Sequence, residues 1–358
     1  MKIFFDARYI EPDFHNGISR YTAELGNALS KQINVTFLIW DKAQLKLLPK
    51  NANYILIHKQ TSAAEPFTSL ILNKYKPDVV FSPMHTMGTA GRKFKLILTL
   101  HDLIYYQHRK PPTQFNALIR IGWRLYHLTY VPGRMALNSA DIVATVSQTV
   151  KKQFEKVKMT KRPIIVIANA PENLAELTTK KVDLNKKPRN LIYMGSFMPY
   201  KNVELLINGL NYLPNDYSLH LLSRISPKRK QQLRQLIPKN KNVVFHGGVS
   251  DEKYADILAD NAVMVSASKS EGFGLPLIEA IKMGIPAVVS DMDIFKEVGG
   301  NGALYFNDAK SFAKQIESLD NDRKRKSLVK KGQKHIQKFD WDKSATELIE
   351  AMSRLTDV

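Results

Sequence analysis

The sequence predicts an α/β chain made of two parallel-sheet domains. Three observations carry this. Thirteen short apolar runs, rich in Val, Ile and Leu, recur along the 358 residues with little alternation, as in strands buried on both faces. Amphipathic helical segments separate many of them, which is the βα order of a parallel sheet. A charged stretch poor in apolar residues, 173–189, divides the runs into seven before and six after.

In the first half the strand-like runs are 3–5, 35–40, 54–57, 79–82, 96–100, 142–146 and 164–167. In the second half they are 191–194, 219–222, 243–246, 263–267, 287–290 and 304–306. The stretch between carries Lys180, Lys181, Lys186, Lys187 and Pro188. The expected division is therefore a first domain over 1–172, a linker over 173–189, a second domain over 190–340 and a terminal segment over 341–358. Residues 342–354 of that segment read as a helix. Two such domains on one linker leave a cleft, where ligands commonly bind.

Composition bounds the function. Hydrophobic residues at 44% and charged residues at 24% exclude a disordered or low-complexity chain. The absence of cysteine excludes disulfide scaffolds, thiolate metal sites and Cys nucleophiles. Lys and Arg number 53 against 33 Asp and Glu, a formal charge of +20 that favours anionic partners. The first apolar run is short and ends in charge, so it reads as a strand rather than a secretory signal. No run reaches the roughly 18–20 apolar residues that span a bilayer. The expected location is cytoplasmic, with any membrane contact peripheral at the inner face of the cell membrane.

The most informative stretch is Ser270-Glu271-Gly272-Phe273-Gly274-Leu275-Pro276-Leu277-Ile278-Glu279-Ala280. It follows the run 263–267, and Pro276 suits the first turn of a helix. Strand, glycine turn and helix follow in order. The glycines let backbone approach a ligand, and the helix N-terminus favours a diphosphate. Glu271 before the helix and Glu279 one turn inside it can accept bonds from sugar or ribose hydroxyls. Either Glu alone is explained by the helix dipole. A dinucleotide fingerprint is disfavoured, because the third glycine is missing and the motif lies late in the chain.

Two glutamates eight apart around Gly-Phe-Gly-Leu-Pro resemble the paired-glutamate motif of the retaining glycosyltransferases of family 4, the group 1 glycosyltransferases, whose fold is GT-B. The likeness continues in Phe245-His246-Gly247-Gly248-Val249, in Met283-Gly284-Ile285-Pro286 and in Phe339-Asp340-Trp341. The mannosyltransferase-like branch is the nearest in pattern. The resemblance implies two Rossmann-like domains facing across a cleft, and a C-terminal helix packing back on the first. It implies metal-independent transfer of a sugar, mannose foremost, from a nucleoside-diphosphate sugar to a glycan or lipid-linked acceptor in cell-envelope synthesis. No cofactor is called for.

Residue roles follow from the same resemblance. Gly17, in Asn16-Gly17-Ile18-Ser19-Arg20, matches the loop that opens the first helix near the donor. His101, in His101-Asp102-Leu103, matches a residue against the transferred sugar. Gly195-Ser196-Phe197-Met198-Pro199-Tyr200-Lys201 matches the diphosphate loop, with Lys201 on the phosphates. Ser196 and Tyr200 stand where arginines are frequent, so Arg224 after the run 219–222 is a candidate second cation. Glu271 would orient the sugar and Glu279 the ribose. Backbone at Gly272, Phe273, Gly274 and Leu275 would hold sugar and phosphate, with the nucleobase near Val249. His101, Glu271 and Lys201 form the catalytic set.

Asp291-Met292-Asp293 reads as a loop after a strand rather than a metal site, and no His pair has zinc-ligand spacing. A GT-B epimerase would lack the Glu271/Glu279 pattern. A basic nucleic-acid-binding protein has only charge in its favour, spread over both halves, so no nucleic-acid partner is expected. Residues 115–135 read as a helix or helix pair broken near Pro132-Gly133. There Ile119, Trp123, Tyr126 and Tyr130 recur at helical spacing beside Arg120 and Arg124. A core-facing stripe is the first reading of those apolar residues. Lysines between 151 and 161 favour an anionic membrane surface as a partner.

Overall fold

The computed structural model describes residues 1–12, 16–111 and 117–356. They form two compact units, Met1–Asn169 with Phe339–Val358, and Ala170–Lys338. The chain begins with β1 (Ile3–Asp6), α1 (Gly17–Gln32), β2 (Val35–Ile39), β3 (Asn53–Leu56), α2 (Thr68–Asn73), β4 (Val79–Ser82) and β5 (Lys95–Thr99). Then come α3 (Ile104–Gln107), α4 (Ala117–Tyr126), α5 (Val131–Asn138), β6 (Ile142–Thr145), α6 (Gln148–Lys156) and β7 (Ile164–Val166). The second unit opens with β8 (Asn190–Tyr193), α7 (Val203–Gly209), β9 (Ser218–Leu221), α8 (Pro227–Arg234), β10 (Asn242–Phe245) and α9 (Asp251–Leu258). It closes with β11 (Ala262–Ser266), α10 (Leu275–Lys282), β12 (Ala287–Ser290), α11 (Asp293–Gly299), β13 (Leu304–Phe306), α12 (Ala309–Ser318) and α13 (Asp322–His335). A last helix, α14 (Trp341–Thr356), belongs to the first unit.

Each of the thirteen apolar runs is a strand, and every pairing is parallel. The first sheet has the order β3-β2-β1-β4-β5-β6-β7. The second has the order β10-β9-β8-β11-β12-β13. Helices bury the sheet faces. Phe4, Leu38, Val80, Leu96 and Val143 pack with Leu137, Val150 and Phe154 in the first unit. Leu191, Leu219, Leu221, Val263 and Val265 pack with Val203, Leu206, Phe312 and Ile316 in the second. Burial on both faces is what made the runs continuous rather than alternating.

Residues 173–189, expected as a linker, pack within the second unit. Leu174 is buried, Thr178 Oγ1 donates to Asp256 Oδ1 at 2.6 Å, and the buried Arg325 donates to the Leu184 carbonyl from Nη2 at 2.6 Å. The helix expected over 115–135 is a pair, with the break at 127–130 rather than at Pro132-Gly133. Pro132 lies in the first turn of α5, where its missing N–H costs nothing. The part of that segment over 115–116 lies outside the described residues.

At β1 the first unit holds a feature the sequence did not announce. The Arg8 guanidinium is fully buried and bonds Asp6 from Nε at 2.7 Å and Nη2 at 2.9 Å. It also bonds Glu65 from Nη1 at 2.6 Å and Nη2 at 3.1 Å. Ser82 Oγ donates to Asp6 Oδ2 at 3.1 Å. Burial opposes the charge on Arg8, and Asp6 and Glu65 outweigh that effect and raise its pKa. Removing one member leaves a buried charge without its partner, which costs about 3–5 kcal/mol. Arg8→Leu is expected to lower the urea midpoint accordingly at an unchanged slope. A midpoint equal to that of the natural chain would show that the network contributes no net stability.

Candidate functional site

In the second sheet the chain steps from β8 to β9 to β10 in one direction, then crosses to β11, β12 and β13 in the other. The order reverses between β8 and β11. In open α/β sheets ligands bind outside the strand C-termini at such a point. Lys201 follows β8 and Glu271 follows β11, and the structure brings them together. Lys201 Nζ lies 2.5 Å from Glu271 Oε1, with the two side chains 15% and 13% exposed. Ser268 Oγ donates to the same oxygen at 2.7 Å.

The local backbone fixes both partners. Pro199–Lys201 form one 3-10 turn, and Asn202 takes left-handed angles (φ 51°, ψ 41°) before α7 begins. The Lys269 N–H donates to the Tyr200 carbonyl at 2.7 Å, tying this loop to the one after β11. Ser290 Oγ donates to the Ser268 carbonyl at 2.5 Å from the next strand over. A cavity of about 640 Å³ opens beside Asn202 and Ser268, with Asp291, Phe306 and Asn307 on its wall.

Beyond Glu271, Gly272 and Phe273 are buried and Gly274 caps α10 at φ 97°. A Cβ at Gly274 would stand 2.8 Å from Phe295 Cε1, so both angle and space require glycine. Leu275 is the first residue of α10, so the positive end of the helix dipole lies at this turn. Glu279, one turn in, is 3% exposed.

The loops after β8, β9 and β10 adjoin. The Gly195 N–H donates to Ser223 Oγ at 3.0 Å, and the Gly248 N–H donates to the Leu222 carbonyl at 2.9 Å. Gly248 has φ 112°, and a Cβ there would meet Arg224 Cγ at 2.8 Å. Arg224 thus lies over the turn that leads into Val249. Ser196 is exposed, and its carbonyl accepts from Tyr193 Oη at 2.5 Å.

Gly17 and His101 belong to the first unit. Gly17 opens α1, where Asn16 Oδ1 accepts from the N–H groups of Ile18 and Ser19, both at 3.0 Å. Its φ is not positive, so the turn itself does not demand glycine. His101, just past β5, donates from Nε2 to the Pro83 carbonyl at 2.8 Å and meets the Tyr21 ring edge-on at 5.0 Å. Burial pushes its pKa down to about 4, against the effect of that bond. The ring is neutral, with Nδ1 left as an acceptor. His85 is likewise pushed down to about 4 by burial, with His101 and His127 adding to the cost of a charge.

Sequence reasoning missed Ser268 and Ser223, which hold Glu271 and Gly195. Ser268 had one available signal, its place in the same strand-to-helix turn. Asp291 Oδ1 pairs with Lys296 Nζ at 2.5 Å. Among the described residues no group of three His, Asp or Glu is placed to hold a metal.

Comparison with known proteins adds the family. The profile of the glycosyl transferases group 1 matches residues 175–335, and that of glycosyltransferase family 4 matches residues 15–170. The chain is 28% identical to the O-antigen chain mannosyltransferase RfbU of Salmonella typhimurium over 68% of its own length. That match spans 65% of RfbU, just under two thirds. It is 29% identical to O-antigen chain mannosyltransferase B of Escherichia coli, over 99% of this chain and 100% of that protein. Sucrose-phosphate synthase from Thermosynechococcus elongatus superposes with a TM-score of 0.74 at 19% identity, covering 100% of this chain and 99% of that one. Anabaena HepE in complex with UDP and glucose superposes with a TM-score of 0.72 at 17% identity, covering 99% of each chain. The fold is GT-B.

The buried imidazoles make a pH prediction. Folded His85 and His101 stay neutral down to about pH 4, whereas unfolded His binds a proton near 6.5. Between those values the unfolded state holds more protons, so stability rises with pH across the window and is lost as pH falls through it. The urea midpoint should fall between about pH 6.5 and about pH 4, and His85→Gln with His101→Gln should flatten that slope. An unchanged slope in the double variant would show that the rings are not held neutral by burial.

Proposed function

The chain belongs to the group 1 glycosyl transferases of family 4, and on that premise we propose that it is a retaining transferase. It moves mannose from a nucleoside-diphosphate sugar to a hydroxyl of a glycan or lipid-linked acceptor in cell-envelope polysaccharide synthesis. The observation that carries this reading is the contact between Lys201 and Glu271 at the switch point, beside the N-terminus of α10. The mannose assignment leans on the relatives' activity, and the nucleotide donor on the UDP seen in the Anabaena neighbour.

The chemistry follows from charge. When the glycosidic bond to phosphate breaks, negative charge grows on the leaving diphosphate. Lys201 and the α10 dipole stand where such charge is stabilised. Glu271 is held by Ser268 Oγ, so it keeps an orienting partner if Lys201 turns to the phosphates. Its second oxygen can then take sugar hydroxyls, and Glu279 the ribose. The acceptor hydroxyl attacks from the face the diphosphate leaves, and the leaving phosphate takes its proton. His101, neutral with Nδ1 an acceptor, is suited to accept a hydroxyl's hydrogen bond rather than to act as an acid. Arg224 beside Val249 supplies a second cation towards the nucleotide. This scheme routes no step through a metal, so turnover is expected to persist in a chelator. Loss in chelator with recovery in magnesium or manganese would overturn that part.

The test is Lys201→Ala. A lost transition-state charge contact costs on the order of 3 kcal/mol, so kcat should fall about a hundredfold or more. Ser196→Arg in that background should recover part of the loss. Natural-chain turnover by Lys201→Ala would remove Lys201 from the diphosphate. The donor is found with a thermal-shift panel of nucleotide sugars, since a ligand at about 100 times its Kd adds about 2.7 kcal/mol of stability. A product that is the epimerised donor, with no sugar on any acceptor, would overturn the transfer reading.

A further inference from the structure

We propose that α4, α5 and the basic segment made of α6 and the turn after it form a docking surface for an anionic lipid bilayer. This surface lies within the first unit and does not depend on the sugar-transfer reading.

The helix pair carries two apolar faces. One is aromatic and packed. Trp123 stacks against His127 at 4.0 Å and meets Tyr105 edge-on at 4.7 Å. Tyr106 meets Tyr130 at 4.7 Å and His127 at 5.0 Å. That cluster fixes the rotation of α4. The other face is aliphatic and open. Ile121, Leu125 and Leu128 recur at i, i+4 and i+7, and Val131 and Met135 continue the series at i, i+4 on α5. These five side chains are between 50% and 71% exposed. The core-facing stripe expected from the sequence is therefore only half the helix. Trp123, Tyr126 and Tyr130 are its packed part, and Ile119 is 51% exposed.

Charge selects the occupant. Between Asp102 and Asp141 the sequence has no Asp or Glu. Over residues 103–162 eleven Lys and Arg face two acids, Asp141 and Glu155, and Asp141 is bound to Arg92 at 2.6 Å. Arg120 and Arg124 each precede an aliphatic residue of the open stripe. The basic segment is fastened to α5. Arg134 donates to the Val157 carbonyl at 2.6 Å, and Arg162 Nε donates to the Asn138 carbonyl at 3.0 Å. Lys152, Lys156, Lys158 and Lys161 are exposed there. An aliphatic stripe bordered by cations matches acyl chains beneath anionic headgroups, with the long basic stems able to reach those headgroups. A second copy would set like charges against each other. Nucleic acid would leave the aliphatic stripe in water.

The test is flotation of the full chain with vesicles of phosphatidylcholine alone or with added phosphatidylglycerol. Binding is expected only with phosphatidylglycerol, and it should be lost once salt shortens the Debye length to about 3 Å. Leu125→Asp should weaken binding roughly tenfold or more. Lys156→Glu with Lys158→Glu should do the same. Both substitutions fall on exposed positions, so the urea midpoint should not move. Failure of the natural chain to float with phosphatidylglycerol vesicles would overturn the proposal, as would equal binding to phosphatidylcholine alone. Binding indifferent to Leu125→Asp would also overturn it. A dimer in sedimentation that Leu125→Asp dissociates, with vesicle binding unchanged, would assign the stripe to a second copy instead.

Discussion

Parallel strands joined by right-handed crossovers put every strand's C-terminal end, and every following helix's N-terminus, on one edge of each sheet. The meeting of the second unit's loops depends on that constraint. The loops after β8, β9, β10 and β11 need no special path to meet, because the fold delivers them to the same edge. Lys201 and Glu271 are 70 residues apart in sequence and 2.5 Å apart in space for this reason. The hydrogen bonds between neighbouring loops, from Lys269 to Tyr200 and from Gly195 to Ser223, then fix the fine positions.

The two sheets use their reversal points differently. In the first the order reverses between β1 and β4, and there Arg8, Asp6, Glu65 and Ser82 close the gap with a buried, fully bonded network. In the second the Lys201–Glu271 pair is partly buried, with its side chains 15% and 13% exposed. A closed network stiffens its unit, because breaking it would strand a charge in low dielectric. The Lys201–Glu271 pair is less deeply buried than Arg8 and Asp6, so separating it strands its charges in a less dry environment. The same topology thus yields a closed charged network in one unit and a less deeply buried ion pair in the other.

Much of this was legible in the sequence, and the physical reason is burial. Strands covered on both faces must be continuous apolar runs, so all thirteen could be read directly. The turn from Glu271 to Leu275 was legible because left-handed backbone and a helix start leave glycine and proline in plain view. Partnership was not legible. No local pattern says that Lys201 meets Glu271, or that Ser268 steadies it, since these contacts arise from packing loops of different strands. The α4–α5 segment misled for a related reason. Trp123 and Tyr130 signalled a packed face that is half-buried rather than core, and the aliphatic residues between them lie on a second face. Period alone cannot tell a helix with one apolar face from a helix with two.

The terminal helix has a consequence for how the molecule is made. The first unit is closed by α14, whose Leu348, Ala351 and Met352 are buried. Ser344 Oγ donates to the Ala168 carbonyl at 2.8 Å, and Trp341 meets the Tyr21 ring. On the ribosome these residues emerge only after the whole of Ala170–Lys338. At about 5–20 residues per second that interval is on the order of ten seconds or more. Throughout it the first unit exists without its closing helix, and the face of α1 that α14 covers stays open to water and to chaperones. Of the two units, the one earlier in sequence is the later to be completed.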